Sequence, residues 1–415
     1  MTQRKPLVKI RKEQNHYLVY FIELRKIVPV NYVGAEIIRD FFDNQKSIGA
    51  IYESLKKFNN KLAKEDIEIF LHNLKLILET SKEGGYPVVE QEEMEVPLAV
   101  ELQINTVCNL RCKHCCQANY TNTMSFEQVE FILDALYKAG VFEITLVGGE
   151  LFLHPNVEEI IKLCCGKYSF GTTVVTNGTL LEPSLIKGLL RFRNTLSFLV
   201  SLEGVGEVND KIRGKGVFQK VDKTLRLLKK EGFYVEISTT INNFNIEHYQ
   251  RLIDYSKFLG VPLNFNLFKP FKDAHKNLIL PPKKYFKFVK DIFEKRLSEK
   301  LDIGLTNAAI TAELLNYPER NECRATLSGL TVDAQGRMVP CPFLSEIRYY
   351  DEAKLPRFNK DFLKIWRTDK YFNKFRKGNL KECQACSYIF KGNTKENNPY
   401  GVSAMKRYLK TQASY

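Results

Sequence analysis

Cys108-Asn109-Leu110-Arg111-Cys112-Lys113-His114-Cys115-Cys116 is the stretch whose reading decides the rest of the chain. It follows an alternating run in which Val100, Leu102 and Ile104 are separated by Glu101 and Gln103, the pattern of a half-buried strand. Cys108, Cys112 and Cys115 fall in C-x3-C-x2-C spacing. Three thiolates on one short loop suit three corners of a cubic iron–sulfur cluster, which normally takes four cysteine ligands. One iron is then left open, and an open metal position points to chemistry rather than scaffolding. A zinc loop and plain buried thiols are the two other readings of the same residues.

Working outward, strands and helices alternate six times between Leu98 and about Phe268. Ser125 and Gln128 form a capping box for a helix that turns Val129, Ile132, Leu133 and Leu136 inward and stops at Gly140. The next strand, Glu143 to Val147, ends in Gly148-Gly149-Glu150. Thr172 to Thr176 ends in Asn177-Gly178, and Ser197 to Leu202 runs into Glu203-Gly204. Tyr234 to Thr240 and the alternation Leu263, Phe265, Leu267 complete the series. Strands separated by helices imply a parallel sheet with right-handed crossovers. The working residues of such β/α barrels sit at the carboxyl ends of the strands, where all these motifs fall. Two glycines let the backbone approach a ligand closely, and the carboxylate beside them suits an ammonium.

The cysteine loop with Gly148-Gly149-Glu150 resembles the radical S-adenosylmethionine (SAM) enzymes. The resemblance implies an α/β fold, a partial (β/α)6 TIM barrel over 98–275, and a [4Fe–4S] cluster on Cys108, Cys112 and Cys115 whose open iron chelates SAM. In that family an electron from the cluster releases a 5′-deoxyadenosyl radical that takes hydrogen from the substrate. The same resemblance gives Gly148, Gly149 and Glu150 to the SAM amino group and His114 to the slot near the adenine. Ser201 and Arg213 match residues that bind the SAM carboxylate, and Asn177 points into the same mouth. No catalytic acid or base is identifiable. Cys164 lies on an apolar helix face and reads as core, and Cys116 reads as packing.

Downstream, 276–310 reads as a lysine-rich helix linking two domains. Cys323, Gly336-x4-Cys341 and Cys383-x2-Cys386 then resemble the twitch domain, the half-size relative of SPASM, over 311–395, followed by a tail over 396–415. These four cysteines would satisfy one auxiliary [4Fe–4S] cluster, with a structural zinc as the other reading. Upstream, Tyr17 to Glu23 reads as a strand, followed by periodic segments around Ile37, Ile51 and Leu71. Residues 1–90 resemble the PqqD-like, winged-helix-like recognition domain, and Ser81 to Pro97 reads as a linker. The resemblance implies that the leader of a precursor peptide adds as a strand to its sheet edge. A DNA-binding winged helix is the rival for a basic module.

Composition narrows the class. The 415 residues call for two or three domains, and the apolar runs are strand-sized, too short for a membrane helix. The start Met-Thr-Gln-Arg-Lys-Pro lacks a signal-peptide core, and the ten cysteines are clustered rather than spread as a disulfide framework. A cytoplasmic setting is expected. The net charge of +14 is spread along the chain, which fits solubilising helix faces as well as an anionic partner. The expected function is a radical SAM enzyme that modifies a ribosomally made peptide, forming a thioether or carbon–carbon crosslink. A flavodoxin- or ferredoxin-like donor supplies electrons, and neither membrane nor nucleic acid is expected as a partner. A small-molecule radical SAM dehydrogenase and an iron–sulfur DNA-binding sensor are the alternatives.

Overall fold

The computed structural model describes residues 8–80, 94–116, 121–270, 273–299, 301–306, 325–344, 355–377 and 406, 407 and 410. The chain begins with an antiparallel sheet of β1 (Val8–Lys12), β2 (Tyr17–Phe21) and β3 (Lys26–Val30), in the order β1-β2-β3. Helices α1 (Tyr32–Ile38), α2 (Ile48–Lys56) and α3 (Lys64–Thr80) come next. Strand alternation gives this sheet two buried faces. Val19, Phe21 and Val28 pack with Ile38 and Leu74 of its own helices. Leu18, Tyr20 and Ile22 pack with Met94, Leu98 and Phe142, so the amino-terminal unit shares a core with the base of the main sheet.

The main sheet is built from β4 (Ala99–Gln103), α4 (Phe126–Ala139), β5 (Glu143–Val147), α5 (Val157–Lys162), β6 (Gly171–Thr176), α6 (Pro183–Leu189) and β7 (Leu196–Ser201). It continues through α7 (Glu207–Arg213), α8 (Val217–Lys230), β8 (Tyr234–Ile241), α9 (Tyr249–Leu259), β9 (Leu263–Leu267), α10 (Pro282–Glu299) and β10 (Ile303–Thr306). The expected capping box at Ser125 and Gln128 is present. Strands β4 to β10 pair parallel in chain order.

Two departures from the expected six units matter. Helix α10 does not simply link domains. Its Phe286, Val289 and Ile292 are buried in the main core, and it serves as the crossover to a seventh parallel strand, β10. On the other side, β11 (Gly329–Val332) pairs parallel with β4, Thr331 opposite Glu101, and carries β12 (Met338–Val339) antiparallel beyond it. The hairpin that leads to Cys341 is therefore continuous with the main sheet. The last described helices, α11 (Phe362–Thr368) and α12 (Lys370–Arg376), pack back on it through Trp366 and Phe372.

Alternation along the strands divides the sheet into two faces. Val100, Leu102, Ile144, Leu146, Val174, Phe198, Val200, Ile237 and Phe265 are fully buried beneath the helices. Their neighbours Glu101, Thr145, Thr173, Ser201, Glu236, Ser238 and Asn266 are only partly buried and lie on the opposite, inner face. Val147, Val175 and Leu199 share this face, which is mainly polar and reached by solvent, unlike the apolar interior of a filled barrel. No helix among the described residues is long and apolar enough to cross a membrane.

Candidate functional site

The site begins where β4 runs out. Beyond it, Ile104 N donates to Val147 O at 3.0 Å, Gly149 N to Asn105 O at 3.1 Å and Glu150 N to Val107 O at 2.7 Å. The chain leading to Cys108 is therefore stitched along the end of β5. A Cβ on Gly148 would stand 2.2 Å from Asn105 Oδ1, and one on Gly149 would stand 2.3 Å from Thr106 O and 2.5 Å from Val107 O. The expectation was glycines that admit a ligand; as found, they first admit the segment that carries the cysteines.

Cys108, Cys112 and Cys115 line one cavity of about 330 Å³ with His114, Gly148, Gly149, Asn177, Ser201 and Arg213. That volume is in the range of small-molecule sites. Cys116, expected to serve only in packing, lines it as well. The loop is held by Leu110 N on Cys108 Sγ at 3.4 Å and by Lys113 N on Ile212 O at 2.9 Å. Asn177 Nδ2 lies 3.9 Å from Cys108 Sγ and donates to Asn109 Oδ1 at 2.8 Å, while Arg213 Nη1 lies 4.0 Å from Cys112 Sγ.

Burial pushes the Cys112 thiol up to about 11, against the pull of Arg213, and raises Cys108 as well. Such thiols ligate when a metal replaces the proton. Among the described residues, no three Cys, His, Asp or Glu side chains yet close around a common point at metal-ligand spacing. The donor set nonetheless fits an iron–sulfur cluster. It offers soft sulfur ligands on one wall, with N–H donors aimed at two of the sulfurs.

Glu150 is the carboxylate expected at the SAM amino group. It is 1% exposed and does not line the cavity. Its carboxylate accepts from Thr176 Oγ1 at 2.7 Å, Asn177 N at 2.7 Å and Phe152 N at 3.2 Å. Burial raises its pKa while these donors oppose the rise. Two of these donors go to Oε1 and one to Oε2, so Glu150 braces the end of β6 and the backbone of Asn177.

Glu203 was not singled out from the sequence as a site residue, yet it joins two of the expected residues, His114 and Arg213. It is 1% exposed, and its Oε1 accepts from Arg213 Nη2 at 2.6 Å and Nε at 3.1 Å. His114 Nε2 lies 3.5 Å from the same oxygen, and Thr240 N donates to Oε2 at 2.8 Å. Burial pulls His114 down to about 4, so its ring is neutral at ordinary pH. Arg213 has its Nε edge committed to Glu203 and turns Nη1 toward the cysteine loop. The full fork expected for a carboxylate is therefore not free. The legible signal was a carboxylate between Leu202 and Gly204 at a strand end, with an arginine ten residues later.

Of the expected auxiliary quartet, Cys323, Cys383 and Cys386 lie outside the described residues. Cys341 is described, partly exposed, beside Val339, Leu344 and Phe375. The turn that presents it is fixed by Asp333, whose Oδ1 accepts from Gln335 N at 3.0 Å and Arg337 N at 2.9 Å. Phe343, two residues on, reaches the cavity of the cysteine loop.

Comparison with known proteins agrees with this geometry. Residues 102–259 match the model of the radical SAM superfamily, and residues 323–387 match that of an iron–sulfur cluster-binding domain, SPASM. The subtilosin biosynthesis protein AlbA of Bacillus subtilis is 33% identical over 159 residues, 37% of this chain and 35% of AlbA. The mycofactocin maturase MftC of Mycobacterium tuberculosis is 27% identical over 190 residues, 44% of this chain and 48% of MftC. The matched stretches thus span half or less of these two relatives. An AdoMet-dependent heme synthase of Methanosarcina barkeri is 23% identical over 350 residues, 74% of this chain and 96% of the synthase. In fold, the chain is similar to Streptococcus suis SuiB bound to S-adenosylmethionine, with a TM-score of 0.66 and 14% identity across 95% of this chain and 96% of SuiB. The chain carries a radical SAM domain followed by an iron–sulfur cluster-binding domain, and SAM and iron–sulfur clusters are their cofactors.

Proposed function

We propose that this chain is a radical SAM enzyme that modifies a ribosomally made precursor peptide by hydrogen abstraction, forming a thioether or carbon–carbon crosslink. The observation that carries the reading is the convergence on one cavity of Cys108, Cys112, Cys115, Asn177, Ser201 and Arg213, drawn from the carboxyl ends of different strands. When bound there, the reduced cluster and SAM supply the radical chemistry. The protein's own part is positional. Cys108, Cys112 and Cys115 would hold the cluster, Asn177 and Arg213 turn N–H groups toward the Cys108 and Cys112 sulfurs, and Ser201 and His114 would shape the SAM pocket. Glu150 keeps the β6 end in register with the cysteine loop. Cys341 with Cys323, Cys383 and Cys386 would hold one auxiliary cluster in a twitch-type domain.

The peptide reading is supported by the relatives named for peptide products. These are AlbA and the sporulation killing factor maturation protein SkfB of Bacillus subtilis, 27% identical over 163 residues. The three-stranded amino-terminal sheet has two edge strands, β1 and β3, and strand addition at an edge would hold the leader of the precursor. A PqqD-like, winged-helix-like role for residues 1–90 belongs to the same proposal. One observation favours a small-molecule substrate instead: the heme synthase aligns over nearly its whole length.

The test is the mass of a short peptide encoded beside this gene after anaerobic reaction with reconstituted enzyme, SAM and reductant. Loss of hydrogen in pairs, absent with Cys112→Ala and slowed when the leader is cut from the peptide, is the expected result. Formation of 5′-deoxyadenosine with every peptide unchanged would move the small-molecule reading ahead.

A further inference from the structure

We propose that Lys269 is a carboxylate-binding residue of this cavity. It stands two residues beyond β9 and lines the same cavity as the cysteine loop. The residue is only 2% exposed. Its Nζ has two contacts among the described residues: Leu267 O at 3.4 Å, a long hydrogen bond, and the Phe343 ring, whose centroid is 3.8 Å away. The ring fixes the ammonium through its π face without neutralising it.

Buried lysines are rare unless paired, because removal of the charge from water must be offset. Arg213, the other cation at the cavity, already has Glu203. Among the described residues, none that lines the cavity is an aspartate or glutamate. Among the described residues Lys269 thus has no carboxylate beside it at the cavity. A bound carboxylate fills that place, accepting the donors that Leu267 and Phe343 leave over. Two bound molecules would bring one: SAM through its amino-acid end, or a peptide through an aspartate or glutamate. Only the second source rests on the peptide reading.

The experiment compares the reconstituted full chain with Lys269→Met, which keeps the length and the ring contact. Lys269→Arg is the control that keeps the charge, and iron content and melting temperature are matched first. Equilibrium binding is measured for SAM and for decarboxylated SAM, then for the candidate precursor and its copies with each acidic residue changed to the amide. The expected result is that Lys269→Met weakens one carboxylate-bearing molecule about tenfold or more and leaves the counterpart lacking that carboxylate untouched, with Lys269→Arg close to wild type. Selective loss for SAM assigns the carboxylate to SAM; selective loss for one acidic peptide position assigns it to the substrate. Equal losses within each pair, or no loss in either, would overturn the proposal. If no peptide binds even the wild-type chain, the peptide reading fails on that arm, and the SAM pair alone decides for or against Lys269.

Discussion

The two rims of the main sheet solve opposite problems with similar parts. At the carboxyl-end rim, Glu203 holds Arg213 beside a cavity lined by thiols, hydroxyls and the ammonium of Lys269. At the amino-end rim, Glu143 accepts from Tyr20 Oη at 2.8 Å and lies 3.4 Å from Arg25 Nε. Arg25 also donates to Thr173 Oγ1 at 2.8 Å and to the Ser197 hydroxyl, reaching into the sheet from the turn between β2 and β3. There the fit is closed: a Cβ on Gly171 would lie 1.9 Å from Tyr20 Oη. Arg11 adds bonds to Val96 O, Pro97 O and Gly140 O, and Lys9 donates to Tyr168 O. One rim leaves groups for ligands; the other uses the amino-terminal sheet as its plug. An Arg–Glu pair alone therefore does not mark a site. Donors left over around a space do.

The largest expected effect separates the cysteines by rim and core. Cys112→Ala removes a cavity thiol and should reduce bound iron, cluster absorbance and 5′-deoxyadenosine formation to background. Cys164→Ala, in the apolar core beneath the sheet, should keep the iron and lose about 1–2 kcal/mol in urea unfolding. Equal iron loss in both variants would remove the distinction. Next comes Gly149→Ala, whose Cβ meets backbone oxygens that cannot swing aside. A loss of about 3 kcal/mol, with iron retention falling in parallel, is the expected outcome. Gly148→Ala should cost less, since its nearest obstacle is a side-chain atom, Asn105 Oδ1, rather than backbone.

At the opposite rim, Glu143→Ala leaves Arg25 and Tyr20 without their shared acceptor. The expected cost is about 1–3 kcal/mol. It should be read as faster hydrogen exchange in β1 to β3, with iron content unchanged. If iron binding falls as far as exchange rises, the rims are coupled and the division between them fails.

These contrasts also show what the sequence could reveal. Strand ends and the Ser125 capping box are local patterns, and alternation at Val100, Leu102 and Ile104 or helical spacing at Val129 and Ile132 discloses them directly. Pairing of Thr331 with Glu101 joins residues far apart in the chain, and no local period encodes it. Strand β10 is four residues with a glycine in the middle, too short for alternation to stand out. The cysteine loop is legible because metal ligation fixes spacing. Glu150 and Glu203 exchange prominence because a carboxylate's role depends on which donors surround it, and those come from β6, α7 and β8. Lys269 did leave a trace: a lone cation inside Leu267-Phe268-Lys269-Pro270-Phe271.

The smallest expected effect tests the polar inner face between the rims. Burial pushes the Glu236 carboxyl up to about 7, Asp302 adds to the rise and Arg25 opposes it. The folded chain then binds this proton more tightly than the unfolded chain, whose carboxyl titrates near the ordinary 4.5. Between those two values the folded state holds more protons, so stability falls as pH rises through the window and levels off above it. Glu236→Gln removes the charge without the shape. It should leave stability in urea unfolding unchanged at pH 4 and raise it at pH 8 by about 1 kcal/mol or less, since solvent reaches this face and screens the charge. Glu101, pushed by burial up to about 7 on the facing part of the sheet, should respond to Glu101→Gln with the same sign. A midpoint at pH 8 that falls in Glu236→Gln would mean that Arg25 depends on this carboxylate as well as on Glu143. The plug at the amino-end rim would then be held by two acids rather than one.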